Sequence, residues 1–279
     1  MYRIPFLLLL LLLLALPGFA QEQDSTIELI VRVDDMGFSH AANVGIMETF
    51  TEGIATSVEV MVPGPWFEEA AAMLRAHPEI DAGIHLVLTS EWSYLKWRPL
   101  THAPGLTDED GYFHPFIWPN DKQATFLLTD DWTLAEVEQE LRAQIELAKR
   151  KIPQLSHLSG HMGCNQLSQE VQQLVERLAQ EYGLAIFPSQ LGFHYLAFAK
   201  WPFQDAESFG AQFHDNLRSL QPGKYLLVEH PAILGAEMSA VTHEDYENVN
   251  EHRATVTALL TSPETKAILQ EKGIRLVSY

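Results

Sequence analysis

The sequence is poor in cysteine and in basic residues. Among 279 residues it has one cysteine, Cys164, and 18 lysines and arginines against 37 aspartates and glutamates, for a net charge of −19. A single cysteine excludes an intramolecular disulfide and any site of the CxxC type. Because nucleic-acid binding depends on basic side chains that neutralise phosphates, the acidic balance argues against a DNA- or RNA-binding protein, and it equally disfavours docking to anionic lipid.

Several local catalytic signatures are also missing. The sequence has no GxSxG elbow, no GxxxxGK[ST] loop and no GxGxxG, and His243-Glu244 lacks the second histidine of an HExxH motif. A catalytic site in this chain would therefore have to combine residues that are far apart in the sequence.

Only the N-terminus carries a long apolar run. Residues 6–16 are uninterrupted apolar residues with eight consecutive leucines, preceded by Arg3 and followed by small residues around Ala20. This pattern predicts that residues 1–20 are a secretory signal peptide, because the run is well short of the roughly 20 residues of a membrane span. We expect a mature domain over 21–279 that is secreted or periplasmic and not attached to a membrane.

The first part of the mature chain alternates strand-like and helical patterns. Residues 27–33, 56–62 and 82–88 are rich in β-branched and apolar residues, and helical patterns over 43–51 and 66–76 separate them. Strands that alternate with helices across short connections are typical of a parallel sheet.

The alternation resumes near Thr133, where Thr133 and Glu136 form a capping-box pattern, and it continues to the end of the chain. We count about seven strands and five or six helices, although residues 188–222 are difficult to assign. The predicted fold is a single α/β domain, a distorted (β/α) barrel.

A long irregular stretch, residues 89–131, interrupts the alternation after the third strand. It contains Trp92, Tyr94, Trp97 and Trp118. Loops of this length are usually functional, so we predict a lid or a substrate-binding insertion. Its aromatic rings either offer flat faces to a substrate or simply hold the loop against the barrel.

Polar side chains lie at the carboxyl ends of four predicted strands. They are Asp34 with Asp35, His85, His161 and His230. In barrels and open α/β sheets the carboxyl ends of the strands build the site, so we expect these residues to converge. Each has an ordinary alternative: paired aspartates often begin turns, and single histidines are often hydrogen-bonded core residues.

Together these residues suit hydrolysis assisted by a metal ion. An aspartate and two neutral imidazoles form a common ligand set for zinc or a similar divalent ion. A second carboxylate beside them could remove a proton from water, and a further histidine could protonate a leaving amine.

Several motifs resemble those of the YdjC-like carbohydrate deacetylases, a family that includes chitooligosaccharide deacetylases. The matching motifs are the run over 29–39 around Asp34-Asp35, Gly83-Ile84-His85-Leu86, His230-Pro231, Arg253 and the closing segment 273–279. The resemblance covers nearly the whole mature chain, and it implies a distorted (β/α) barrel.

The resemblance also implies roles for the site residues. Asp34 would be the general base, His230 the general acid, and Asp35, His85 and His161 the ligands of a divalent metal ion, zinc or magnesium. The family usually has a His-x-Asp-x-His-x-His-x-His pattern where this chain has residues 157–165, so Ser159 replaces the aspartate and Gly163 and Asn165 replace the later histidines. This departure bears on the substrate, because residues around the ligands tune a metal site.

The sequence therefore favours an exported, metal-dependent deacetylase of small N-acetylated sugars or oligosaccharides. Two alternatives stay open: a relative that binds glycans without turnover, and a metal-dependent hydrolase of another amide or ester. The metal, the sugar and the oligomeric state are not specified by the sequence.

Overall fold

One parallel sheet organises the molecule. The computed structural model describes residues 26–119, 126–129, 131–185, 191–196 and 205–279. Within these ranges the strands are β1 (Ile27–Met36), β2 (Ser57–Val60), β3 (Asp81–Leu86), β4 (Leu155–Gly160), β5 (His194–Leu196), β6 (Gly223–Glu229) and β7 (Ile274–Leu276). The predicted signal peptide, residues 1–20, lies outside the described residues.

Strand β1 lies at the centre of this sheet. The strand order is β4-β3-β2-β1-β6-β5, with β7 also paired to β1, and every pairing is parallel. One edge of β1 pairs with β6, and β7 and β2 share its other edge. The sheet curls into a half-barrel with flanking helices, which confirms the predicted distorted barrel in a single α/β domain.

Helices follow most of the strands, as parallel connections require. They are α1 (His40–Thr51), α2 (Phe67–Ala76), α3 (Leu134–Lys151), α4 (Gln169–Tyr182), α5 (Ala206–Ser219), α6 (Val249–Thr261) and α7 (Pro263–Lys272). Thr133 and Glu136 form the predicted capping box at the start of α3. No helix among the described residues is both long and apolar enough to cross a membrane.

Burial of β1 explains its run of β-branched residues. All ten of its residues are buried, including the charged side chains of Glu28, Arg32, Asp34 and Asp35. Burying charged groups is costly unless they are paired or hold a metal ion. The carboxyl end of β1 therefore marks the place where the apolar interior changes into a polar site.

The segment that the sequence left unassigned contains both α5 and β5. Just before this segment, Ala185 forms a single parallel bridge to His157. The three strands and two helices predicted in the first part of the mature chain are present, with boundaries that differ by up to three residues.

The long loop after β3 is mostly irregular, as predicted. It contains short 3₁₀ turns at Pro104–Leu106 and Leu127–Thr129. Trp92 and Trp97 are each only 3% exposed, so both rings are packed in the interior, whereas Tyr94 is 79% exposed and Trp118 is 45% exposed.

Candidate active site

A cavity of about 400 Å³ opens at the carboxyl ends of the strands. Asp34, Asp35, His85, His161 and His230 all line it, so the structure brings together every site residue predicted from the sequence. A groove of about 590 Å³ lies at the amino ends of β2 and β3, but it contains none of these residues.

Two adjacent aspartates reach the same cavity because β1 is irregular at its end. Successive side chains of a regular strand point to opposite faces. Here Asp35 has a left-handed backbone conformation, with φ of 71°, and the pairing of β1 with β2 shifts register between Val33 and Met36. The local change in direction lets Asp34 and Asp35 line one cavity.

Asp35, His85 and His161 form a compact cluster. Oδ1 of Asp35 lies 3.6 Å from Nε2 of His85 and 3.3 Å from Nδ1 of His161. The cluster offers one ligand atom from each residue, all within 4.8 Å of one another. Although Oδ1 of Asp35 is buried, it makes no hydrogen bond. An unpartnered carboxylate oxygen facing two imidazoles fits a divalent metal ion.

Other side chains orient the three members of this cluster. Nε2 of His161 donates to Oε2 of Glu91 at 3.0 Å, and Nδ1 of His85 lies 2.6 Å from Oγ of Ser159. Arg253 donates to Oδ2 of Asp35 at 2.7 Å. A histidine that binds a metal usually has such a partner on its second nitrogen, because this contact fixes the tautomer and the ring orientation.

The protonation of the cluster follows from these neighbours. Burial would raise the pKa of Asp35, but Arg253 and His230 hold that pKa well below its usual range. Burial, reinforced by His161, lowers the pKa of His85 to about 3. For His161 burial also acts to lower the pKa, but Glu91 and Asp35 outweigh it and raise that pKa to about 10. Asp35 is therefore ionised and His85 neutral at pH 7, as metal ligands need to be.

Asp34 lies beside the cluster and is held from behind by Arg32. Nε and Nη2 of Arg32 donate to the two oxygens of Asp34 at 2.8 Å and 2.9 Å, which is a bidentate ion pair. Oδ2 of Asp34 is 3.8 Å from Nε2 of His85. A carboxylate fixed at this distance can reach a water molecule shared with the cluster.

His230 follows β6 and lines the same cavity. Burial lowers the pKa of His230, and Asp35 opposes this effect. The imidazole is thus mostly neutral at pH 7, and it can donate a proton to a leaving group only after it has taken one up.

Three residues that contact the predicted site residues and hold them in place were not themselves predicted from the sequence as site residues. Arg32 occupies the same strand face as Asp34, two residues earlier, so alternation along β1 could have identified it. Glu91 comes from the irregular loop, and Arg253 from the middle of α6. No local pattern connects these two with the strand ends.

His157 and Cys164 have supporting positions. His157 is fully buried next to Ser57 and Ser156, away from the cavity, in agreement with a structural role. Cys164 is also buried, and its thiol donates to the carbonyl oxygen of Leu86 at 3.0 Å. Burial raises the pKa of this thiol to about 12, so it is an unreactive core residue.

The fold and the cavity together define a class, an α/β half-barrel whose strand ends carry a carboxylate and two histidines able to hold a metal ion. A protein-family model described as "YdjC-like protein" matches residues 28–271 of this chain. The chain therefore belongs to the YdjC-like family.

Curated relatives of this chain carry a common name. A carbohydrate deacetylase from Geobacillus stearothermophilus is 30% identical, with 90% of this chain and 96% of the relative covered. A carbohydrate deacetylase from Thermus thermophilus is 33% identical, with 87% of this chain and 89% of the relative covered.

A solved structure supports the fold. A crystal structure from Enterococcus faecalis, of a protein named for cellobiose-phosphate cleavage, has a TM-score of 0.73 and 24% identity, and covers 91% of this chain and 98% of its own. At this identity the likeness concerns the fold alone.

Proposed function

We propose that this protein is an exported, metal-dependent hydrolase that removes acetyl groups from N-acetylated sugars or oligosaccharides. The observation that carries the proposal is the buried Oδ1 of Asp35, which has no hydrogen bond and faces His85 and His161 beside a fixed second carboxylate, Asp34. The name carbohydrate deacetylase, shared by relatives aligned over most of the chain, supports this choice of reaction.

Asp35, His85 and His161 would hold the ion. A divalent cation at this place would make water more acidic and an amide carbonyl more electrophilic. Asp34 accepts the proton from the attacking water, because Arg32 holds its carboxylate in a single orientation. His230, after it has taken up a proton from solvent, donates that proton to the nitrogen of the departing sugar, and Asp34 releases its own proton to solvent. Acetate and a free amine are the products.

The size and the walls of the cavity support a small sugar as substrate. Its volume of about 400 Å³ lies within the range of small-molecule sites. Trp92, His243 and Tyr246 line one side, with the His243 and Tyr246 rings 5.5 Å and 5.8 Å from that of Trp92. Aromatic rings of this kind suit the apolar faces of sugars.

The test is acetate release from a panel of N-acetylated mono- and oligosaccharides. We expect release by the wild type, loss of release in Asp34→Asn, and no change in Asp110→Asn, which alters an exposed loop aspartate. Chelation should abolish the activity, and zinc or magnesium should restore it.

The alternatives predict different results in this assay. Sugar binding with no acetate above the Asp34→Asn background would identify a glycan-binding relative. Turnover of simple amides or esters, with none of N-acetylated sugars, would identify another hydrolase.

Export has a separate test. The full chain, expressed in a bacterial host, should be recovered outside the cytoplasm with Gln21 as its first residue, as determined by mass spectrometry. Leu10→Arg, which interrupts the apolar run, should keep the chain in the cytoplasm at full length.

A further inference from the structure

Around Arg32, which binds Asp34, the half-barrel contains a second set of buried charged and polar groups. Nη1 of Arg32 lies 3.6 Å from Oε1 of Glu59, and Oε1 of Glu59 lies 3.2 Å from Nε2 of His157. The side chains of Glu59 and His157 are essentially inaccessible to solvent. Because Glu59 and His157 do not line the cavity, neither is placed to touch a substrate.

The strand register accounts for this arrangement. Glu59 on β2 pairs with Gly83 on β3, and Gly83 pairs with His157 on β4. A Cβ atom at Gly83 would lie 2.4 Å from Nε2 of His157. The missing side chain at position 83 therefore provides the space in which the imidazole reaches across β3 to Glu59.

Tyr279 completes this set from the end of the described chain. The segment after β7 continues beside β1, where Val277 donates its amide to Leu29 at 3.0 Å. The amide of Tyr279 donates to Oδ2 of Asp81 at 3.1 Å. Its ring stacks on His157, with centroids 3.8 Å apart and planes 9° from parallel.

The phenol oxygen of Tyr279 accepts a hydrogen bond from Nη1 of Arg32 at 3.2 Å. The guanidinium thus has contacts on both sides, since Nε and Nη2 bind Asp34 while Nη1 binds Tyr279. A guanidinium group is planar and its donors have a fixed geometry. Fixing Nη1 therefore restricts rotation of the whole group and with it the plane of the Asp34 carboxylate.

We propose that Tyr279 is a positioning residue for hydrolysis, which fixes the orientation of Asp34 through Arg32. This inference rests on the proposed function, in which Asp34 accepts the proton of the attacking water. Tyr279 does not line the cavity, so it acts without touching the substrate.

The direct test is Tyr279→Phe, which removes the phenol oxygen and keeps the ring that stacks on His157. The loss of one hydrogen bond predicts a fall in kcat of about two- to tenfold. KM and metal content should stay the same, because neither the cavity wall nor the cluster is altered. Tyr182→Phe is the matched control, since it removes a hydrogen-bonded phenol oxygen on α4, far from Asp34.

A double-mutant cycle tests whether the effect passes through Arg32. Lysine at position 32 keeps a positive charge but cannot bind Asp34 and Tyr279 with a planar fork. Tyr279→Phe should therefore reduce kcat in the wild type and cause no further reduction in the Arg32→Lys background. If the two substitutions reduced kcat independently, their effects would multiply in the double variant. Tyr279 would then not act through Arg32, and the inference would be wrong.

An NMR measurement that does not depend on turnover tests the inference even if Arg32→Lys does not fold. In NMR spectra of the native protein, the Nε–H signal of Arg32 should be sharp and exchange slowly with solvent. Tyr279→Phe should accelerate this exchange, whereas Tyr182→Phe should not. An unchanged Arg32 signal together with an unchanged kcat in Tyr279→Phe would refute the inference.

The two proposals fail in distinguishable ways. If Asp34→Asn keeps full activity, the proposed function fails. If Asp34→Asn is inactive while Tyr279→Phe behaves as the wild type in kcat and in the Arg32 signal, only the positioning role fails.

Discussion

Oγ of Ser159 lies 2.6 Å from Nδ1 of His85. When Nε2 of His85 keeps its lone pair for a metal ion, Nδ1 carries the proton and donates it to Ser159. The resemblance to the YdjC-like pattern implies an aspartate at this position, where this chain has a serine. A neutral hydroxyl fixes the ring as a carboxylate would, but it makes the imidazole less basic.

Replacing Ser159 by alanine should weaken metal binding. The His85 ring would lose the contact that orients it, and we expect the dissociation constant for zinc to rise about tenfold or more. Competition with a chelating dye measures this constant. Ser239→Ala, at an exposed serine, is the control, and equal constants for both variants would contradict the role assigned to Ser159.

Metal affinity should increase with pH. Against the effect of burial, Glu91 and Asp35 raise the pKa of His161 to about 10, so this residue carries a proton at pH 7 that the ion must displace. Affinity should therefore rise by about tenfold per pH unit below that pKa. Calorimetry in buffers of different ionisation enthalpy should show about one proton released per ion, and fewer in Glu91→Gln.

Loss of His230 should depend on the leaving group. Without a residue that protonates the departing nitrogen, kcat of His230→Gln for N-acetylated sugars should fall by about 10²- to 10⁴-fold. An aryl acetate releases a phenolate that needs no proton, so its hydrolysis should fall far less. His77→Gln, at a surface histidine, is the control. Equal losses on both substrates would argue against proton delivery by His230.

A methyl group at Gly83 should destabilise the fold. The added carbon would clash with the His157 ring, and overpacking of this kind costs about 1–3 kcal/mol in the free energy of unfolding. Urea denaturation measures this change. Gly235→Ala is the control, because its added carbon meets no atom within 4 Å. Combining Gly83→Ala with His157→Ala should cost less than the sum of the two single changes.

Glu229 should make stability depend on pH. Burial raises its pKa from the ordinary value of 4.5 to about 8. The folded state therefore binds the proton of the Glu229 carboxyl group more tightly than the unfolded state does. The contribution of Glu229 to stability is complete below pH 4.5 and is lost as pH rises through 8. The free energy of unfolding of Glu229→Gln should decline less between these values. Glu247→Gln, at an exposed glutamate, should behave as the wild type.

Much of the fold was predictable because short apolar strands and amphipathic helices alternate so regularly. Helix α5 was not predicted, although Asp205 caps it and Phe209, Phe213 and Leu217 follow at helical spacing and are buried. Its glycine, asparagine and serines weaken the helical preference of the segment.

The site was predictable to the extent that parallel strands place their carboxyl ends together. This rule correctly predicted that Asp34, Asp35, His85, His161 and His230 would line one cavity. Their catalytic and ligand roles stay predictions. The sequence did not predict the contribution of Glu91 and Arg253, because their approach to the cluster depends on how the loop and α6 pack against the sheet.

The left-handed backbone at Asp35 has an evolutionary consequence. A non-glycine residue in this conformation costs on the order of 1 kcal/mol, and glycine would relieve that strain. A descendant that no longer needed the cluster would gain stability from glycine at this position. Stability and metal binding therefore place opposite demands on this position, since glycine would relax the backbone but would remove a carboxylate from the cluster.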